Sequence, residues 1–371
     1  MKRFIVIPDS FKGTYSSQEI AMFMKEGILS CIPKALVEMI PIADGGEGSV
    51  DCYLHALGGT RITLPSKDPF MRDIDASFGL LPNKEAIIEL AATAGLSLVK
   101  DDPNPSIAST YGVGIQILQA IEHGAKHIIL AIGGSASNDA GVGLLQALGY
   151  EFYNEFHQLF FPTGATIGQI SYISSENVSS LMDDIKFTTL CDVKNPLFGP
   201  HGAAYVYSPQ KGASPSMVKE LDHQLRLFAN FLTKNNYGDP TFEGSGAAGG
   251  SSVALKLFLR SSIVRGIDFF LDITQFRIKL KHVDMVFTGE GQMDSQSFSG
   301  KVIDGIASKT FEVGVPLIAF VGGTNGVSTI DYPKGLNQAI SISQEPFDLQ
   351  YVISHTKELL IKAINSFLCN Q

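Results

Sequence analysis

The sequence predicts an α/β protein of two domains, built on largely parallel sheets. Short apolar runs alternate with helix-period runs over much of the chain, which is the pattern of β-then-α units and a parallel sheet. The clearest apolar runs end in polar or glycine-rich turns: "PDSFKG", "GGSASNDAG", "GEGQMDS" and "GGTNG". The chain has 371 residues, which is long for one core, so two domains are the better prior.

Taken in order, the first strand is 3–7 (RFIVI). Ser16 and Glu19 then form an S-x-x-E capping box, and Ile20, Phe23, Met24, Gly27 and Ile28 repeat on one helical face. The stretch 61–82 changes character: Arg61 to Leu64 and Asp75 to Phe78 alternate as strands do around the turn "SKDPFMRD". An inserted or separate domain could open here. A helix over 112–123 places Val113, Ile117, Ala120 and Ile121 on one face. Strand 127–132 leads to a helix over 139–149 that closes at Gly149 as a C′ glycine would. A helix from Val218 to Leu232 lies inside a Gly-, Pro- and Ser-rich segment, 206–250, and another helix covers 251–259. Strands 284–288 and 316–321 follow. Ligands of open α/β sheets bind outside the carboxyl ends of the strands, so four such turns count for more together than singly.

Composition excludes several classes. A net charge of −9 without a Lys/Arg block argues against nucleic acid. An anionic substrate must then be met locally, by a few cations and by N–H groups at helix starts. No apolar run is long enough to span a membrane, and Phe4 to Ile7 is too short for a signal-peptide core, so a cytoplasmic protein is expected. Cys31, Cys52, Cys191 and Cys369 make no CxxC pair and no metal-ligand spacing, which predicts free, mostly buried thiols. The histidines form no H-E-x-x-H, and Walker A, protein-kinase and G-x-S-x-G signatures are absent.

Several stretches carry chemistry. Asp44 to Gly48 (DGGEG) suits a hard cation or a tight anion-binding turn, and equally a glycine turn with solvated acids. Ile132 to Gly143 (IGGSASNDAGVG) joins a strand end to a helix start. Its N–H groups could hold phosphate, while Asn138 or Asp139 caps the helix. Asp192 lies near Lys194 and Asn195, with Lys211 further on; an Asp beside a Lys is either a base with a stabilising cation or a surface ion pair. Gly244 to Gly250 (GSGAAGG) contains G-x-G-x-x-G without a preceding strand, and reads as a flexible phosphate-approach loop. Phe287 to Lys301 carries Glu290, Asp294 and a Gly300-Lys301 pair outside any P-loop pattern.

In this order "PDSFKG", "ADGGEG", "IGGSASNDAG", "CDVKNPLFGPHGAA" with "PQKGA", "GSGAAGG" and "TGEGQMDSQSFSGK" closely resemble the bacterial type I glycerate kinase family, from about residue 3 to about residue 325 and more loosely beyond. The resemblance implies ATP-dependent, Mg2+-assisted phosphorylation of D-glycerate in the cleft between two α/β domains. The product would usually be 2-phosphoglycerate. A 3-phosphoglycerate-forming kinase and a non-catalytic hydroxy-acid-binding relative are the alternatives. One domain would be flavodoxin-like and built from both chain ends, 1–60 plus 265–371. The other, 61–264, would be an inserted restriction-enzyme-like α/β domain. The partners are then glycerate and ATP, with no nucleic acid and no membrane, in a monomer or homodimer. Two departures stand out: Gln292 replaces the family's arginine, and Ala140 replaces a glycine, which suggests ordinary helical φ at that position.

Phosphoryl transfer needs positioning, charge neutralisation, a metal and an acceptor for the hydroxyl proton. Asp192 is the expected base. Lys12 would neutralise a carboxylate or phosphate, Ser10 would orient it, and Asp9 would hold the metal or the hydroxyl. Lys301 is assigned to the transferred phosphate and Arg72 to the glycerate carboxylate. Gly133, Gly134, Ser135, Asn138, Gly246, Gly289 and Glu290 are expected to line the substrate and phosphate site, and Asp44 and Asp294 to hold Mg2+.

Overall fold

A computed structural model describes residues 1–11, 14–43, 45–293, 302–323, 332–343 and 349–369. The strands among them are β1 (Arg3–Val6), β2 (Leu36–Met39), β3 (Thr60–Lys67), β4 (Asp73–Leu80), β5 (Glu85–Glu89), β6 (His127–Ala131), β7 (Glu151–Tyr153), β8 (Leu159–Phe160), β9 (Tyr172–Ser174), β10 (Lys186–Leu190), β11 (Ser262–Val264), β12 (Met285–Glu290), β13 (Leu317–Val321) and β14 (Leu336–Ser341). The chain divides into two compact units. The first holds Met1–Asp44, His55–Leu57 and Arg265–Gln371; the second holds Gly45–Leu54 and Gly58–Val264.

The first unit is built on a five-stranded sheet in the order β14-β13-β12-β1-β2. Every neighbouring pair is parallel. Numbered within the unit, this is the 2-1-3-4-5 order of flavodoxin-like sheets, whose switch point lies between the first and third strands. Here those strands are β1 and β12. The helix Ser17–Cys31 links β1 to β2, and its capping box is complete: Ser16 accepts from the Glu19 N–H, and Glu19 accepts from the Ser16 N–H. Ile20, Met24 and Ile28 from this helix are buried with Phe4, Phe287, Phe320, Leu360 and Ile364. Burying each such side chain contributes roughly 1.5–3 kcal/mol, which fixes the helix across the sheet and so sets where the β1 loop emerges.

The second unit has a six-stranded sheet in the order β11-β10-β6-β5-β4-β3. β5, β6, β10 and β11 are parallel. β3 and β4 form the antiparallel hairpin around "SKDPFMRD", and β4 pairs antiparallel to β5. A small antiparallel sheet, β8-β7-β9, belongs to the same unit. Val113, Ile117, Ala120 and Ile121 of the helix Tyr111–Glu122 bury with Ile128 and Leu130 of β6.

Four expectations are corrected. The helix expected over 139–149 begins later, at Val142. Asp139 shapes the turn before it, and Ala140 has φ +49°, left-handed rather than helical. Its methyl group is fully buried, so packing offsets the backbone cost. The stretch Gly244 to Gly250 is not an exposed flexible loop: most of it is buried. Its glycines serve close backbone packing, since a Cβ at Gly246 would stand 2.2 Å from the Pro196 carbonyl oxygen and one at Gly249 2.1 Å from that of Ser137. The thiols divide evenly: Cys52 and Cys191 are buried, Cys31 is half-buried and Cys369 is exposed.

Candidate active site

In the first unit, β1 and β12 deliver two of the expected loops to one sheet edge. The Asp9 N–H donates to the Gly289 carbonyl at 2.8 Å, and Thr288 Oγ1 donates to the Ile7 carbonyl at 2.8 Å. A Cβ at Gly289 would stand 2.4 Å from the Phe320 carbonyl, so the position is closed to larger residues. The opening loop is ordered by its own bonds. Asp9 accepts from the Ser10 N–H at 2.7 Å, and Ser17 Oγ donates to the Pro8 carbonyl at 2.7 Å. Glu290 is buried at the end of β12. Gln292 is exposed. Asp9, Ser10, Gly289 and Glu290 therefore lie at the sheet's switch point, where open α/β sheets take ligands. Lys12, Asp44, Asp294 and Lys301 lie outside the described residues.

In the second unit, a second set gathers at the carboxyl ends of β5, β6 and β10. The Gly133 N–H donates to the Gly45 carbonyl at 3.1 Å. A Cβ at Gly133 would meet Gly46 Cα at 2.8 Å, and one at Gly45 would meet Leu190 Cβ at 3.1 Å. The glycines of "GGEG" and "GGS" thus let two loops touch backbone to backbone beside the end of β10. Glu89, the last residue of β5, accepts from the Val50 N–H at 2.7 Å. It caps the helix Ser49–Leu57 that follows "GGEG" and holds that loop to the sheet edge. Burial pushes the Glu89 carboxyl up, against the pull of the Val50 N–H.

Beyond Gly134, which is exposed with φ +77°, the β6 loop turns inward. Ser135, Ser137, Asn138 and Asp139 are all buried. Asp139 is structural: it accepts from Thr110 Oγ1 at 2.8 Å and from the N–H groups of Thr110, Gly141 and Gly143. Lys211 is only 2% exposed and donates to Ser135 Oγ at 2.8 Å and to the Ser137 carbonyl at 2.7 Å. Ser208 Oγ donates to Asn138 Oδ1 at 3.2 Å. The "SPQK" segment therefore clamps the β6 loop from behind with three side-chain bonds. Burial pulls the Lys211 ammonium down to about 7, and the charge of Asp139 opposes that fall. Ser137 Oγ, Asn138 Nδ2 and Ser245 Oγ are buried without a hydrogen-bond partner among the described residues. Orphan polar atoms of this kind mark the place of a water or a ligand.

Asp192 is half-buried just past the end of β10. Lys194, expected beside it, instead pairs with Glu243 at 3.0 Å on an exposed face. Asn195 fixes its loop by donating to the His201 carbonyl at 2.8 Å, accepting from Tyr207 Oη at 2.6 Å and accepting from the Gly246 N–H at 2.9 Å. Gly246 thus packs against the Asn195-Pro196 segment that follows Asp192. Arg72 already has a partner: its Nε donates to buried Asp68, and its guanidinium lies 5.5 Å from the Phe70 ring centre. Lys211 and Glu89 are the residues sequence reasoning left without a role. Their partners are distant in sequence, and although "PQKGA" contains Lys211, that motif does not say what the lysine holds.

No group of three or more His, Cys, Asp or Glu side chains gathers as a metal set among the described residues. A groove of about 550 Å³ beside β14, lined by Gln338, Ile340, Lys362 and Phe367, runs along an edge strand and carries none of the expected site residues. No helix among the described residues is long and apolar enough to cross a membrane.

The model of the glycerate kinase family matches residues 4–369. A glycerate kinase of Bacillus cereus is 37% identical over 351 residues, covering 94% of this chain and 92% of that protein. A glycerate 2-kinase of Escherichia coli K12 is 34% identical over 343 residues, covering 92% and 90%. The crystal structure of a Salmonella typhimurium LT2 protein assigned as glycerate kinase 2 superposes with a TM-score of 0.85 at 31% identity, over 100% of this chain and 98% of that one. With glycine-rich loop sets at the carboxyl ends of parallel strands in each of its two main sheets, and with this likeness along its whole length, the chain belongs to the glycerate kinase family.

Proposed function

We propose that the protein transfers the γ-phosphoryl group of ATP to D-glycerate and releases 2-phosphoglycerate, the position named in the Escherichia coli relative. The observation that carries the reading is the clamped β6 loop. It offers buried Ser137 Oγ and Asn138 Nδ2, without a partner among the described residues, in a loop bonded to a buried lysine at the strand ends where α/β sheets bind ligands. The glycerate hydroxyl oxygen attacks phosphorus, the bond from phosphorus to the ADP oxygen breaks, and Asp192 accepts the hydroxyl proton. Arg72, its guanidinium held in place by Asp68, is assigned to the substrate carboxylate. Lys12 and Lys301 are assigned to phosphate oxygens, with Asp9 and Ser10 orienting the acceptor.

Mg2+ would neutralise charge on the phosphates when bound. Carboxylate oxygens suit it, and Asp44 and Asp294 are assigned to it. Purified protein given ATP, Mg2+ and D-glycerate should form ADP only when glycerate is present. ADP formation indifferent to glycerate would remove this reading.

A further inference from the structure

Cys31 and Cys369 lie 338 residues apart in sequence, yet their sulfurs are 2.8 Å apart. That is inside the contact distance of two sulfurs and longer than a covalent bond of about 2.05 Å. Each cysteine ends its helix, Ser17–Cys31 and Thr356–Cys369. The approach is fixed by a registered helix pair. Lys357 pairs with Glu26 at 2.9 Å. Gly27 packs against Ile364, where an added Cβ would stand 3.2 Å away. Ser30 Oγ donates to Asn365 Oδ1 at 2.8 Å, and Cys31 Sγ lies 3.3 Å from the same oxygen.

We propose that Cys31 and Cys369 are a reversible thiol–disulfide couple, which a small-molecule disulfide of the glutathione class oxidises so that the first helix is stapled to the last. Cys369 is exposed and is the thiol an oxidant reaches. Its thiolate attacks one sulfur of the small disulfide, forming a mixed disulfide and expelling one thiolate. Cys31 then attacks the Cys369 sulfur and expels the second. The two cysteine protons pass to the two released thiolates, and the small disulfide carries off both electrons as two thiols. Burial, with the Cys369 thiol beside it, raises the Cys31 thiol above its usual range, so Cys31 acts second. The helix it closes starts at Ser17, which holds the Pro8 carbonyl of the opening loop. The staple therefore tethers the element that anchors that loop.

The test equilibrates the reduced full-length protein in glutathione redox buffers and counts free thiols after quenching and denaturation. The count should fall from four to two. Peptide mapping should join Cys31 to Cys369, and the thermal midpoint should rise by several degrees and return with dithiothreitol. Cys31→Ser and Cys369→Ser should each abolish the internal link, while the double variant Cys52→Ser/Cys191→Ser should keep it. A count that stays at four, glutathione held stably on Cys369, or covalent dimers through Cys369 would each overturn the proposal.

Discussion

Lys211 Nζ donates to Ser135 Oγ at 2.8 Å, and this bond fixes a buried ammonium to the loop that leaves β6. The same nitrogen also holds the Ser137 carbonyl. A lysine so deeply buried must be met by oriented dipoles or by an anion. Here it has one hydroxyl and one carbonyl, with the charge of Asp139 near enough to be felt. Lys211→Met should lower kcat/KM for ATP on the order of 100-fold, the usual loss for one well-placed electrostatic donor. Lys211→Arg should not restore it, because the site is closed around a compact ammonium. Steady-state kinetics on both variants decide this. Near-normal kcat/KM in Lys211→Met would make the clamp dispensable.

The same lysine sets a pH dependence. Its folded value is about 7 against an ordinary 10.5, so the unfolded chain binds the extra proton between those limits. Folding therefore carries the full penalty below pH 7, and stability rises as pH increases from about 7 to about 10.5. The slope from this residue is at most about 1.4 kcal/mol per pH unit. Urea unfolding of wild type and Lys211→Met across that window should show the wild type gaining relative to the variant. A difference that stays flat with pH would contradict a buried, depressed ammonium.

Asp192→Asn should lower turnover by about 10²–10⁴-fold while the thermal midpoint stays close to wild type. The residue is half-buried beyond β10, and Asn195 helps to hold its loop. Turnover within a few-fold of wild type would remove it from the role of base.

Glu89→Ala should cost about 1 kcal/mol of stability, because the Val50 N–H loses its cap, and should weaken substrate binding through the loosened "GGEG" loop. Glu89→Gln keeps an acceptor and should recover most of the stability. Equal losses in both variants would show that charge, not capping, is what Glu89 contributes.

Gly133→Ala places a methyl carbon 2.8 Å from Gly46 Cα. Backbone on both sides cannot yield cheaply, so the two loops must part, at about 1–3 kcal/mol. Activity should fall more than stability. A variant with unchanged kinetics would mean that the contact between the loops is not part of the site.

Local rules carried much of the fold. The capping box at Ser16 and Glu19, the apolar face of Tyr111–Glu122 and the run before each strand end depend on neighbours a few residues away, and they read directly from the sequence. The site was less legible because its logic is long-range. Lys211 is 76 residues from Ser135, and Glu89 is 39 from Val50. Lys194 misled because nearness in sequence to Asp192 suggested a pair, whereas the chain turns it toward Glu243. Ala140 misled because a missing glycine suggests a helical backbone, yet Asp139 accepts from the Gly141 and Gly143 N–H groups just beyond it, the Ala140 N–H donates to the Gly249 carbonyl, and the residue is left-handed.

The most direct measurement is phosphorus NMR of the reaction of purified protein with ATP, Mg2+ and D-glycerate. The ATP γ-phosphorus signal should fall as a 2-phosphoglycerate signal grows in equal amount. Intact ATP, or γ-phosphate released only as inorganic phosphate, would contradict it.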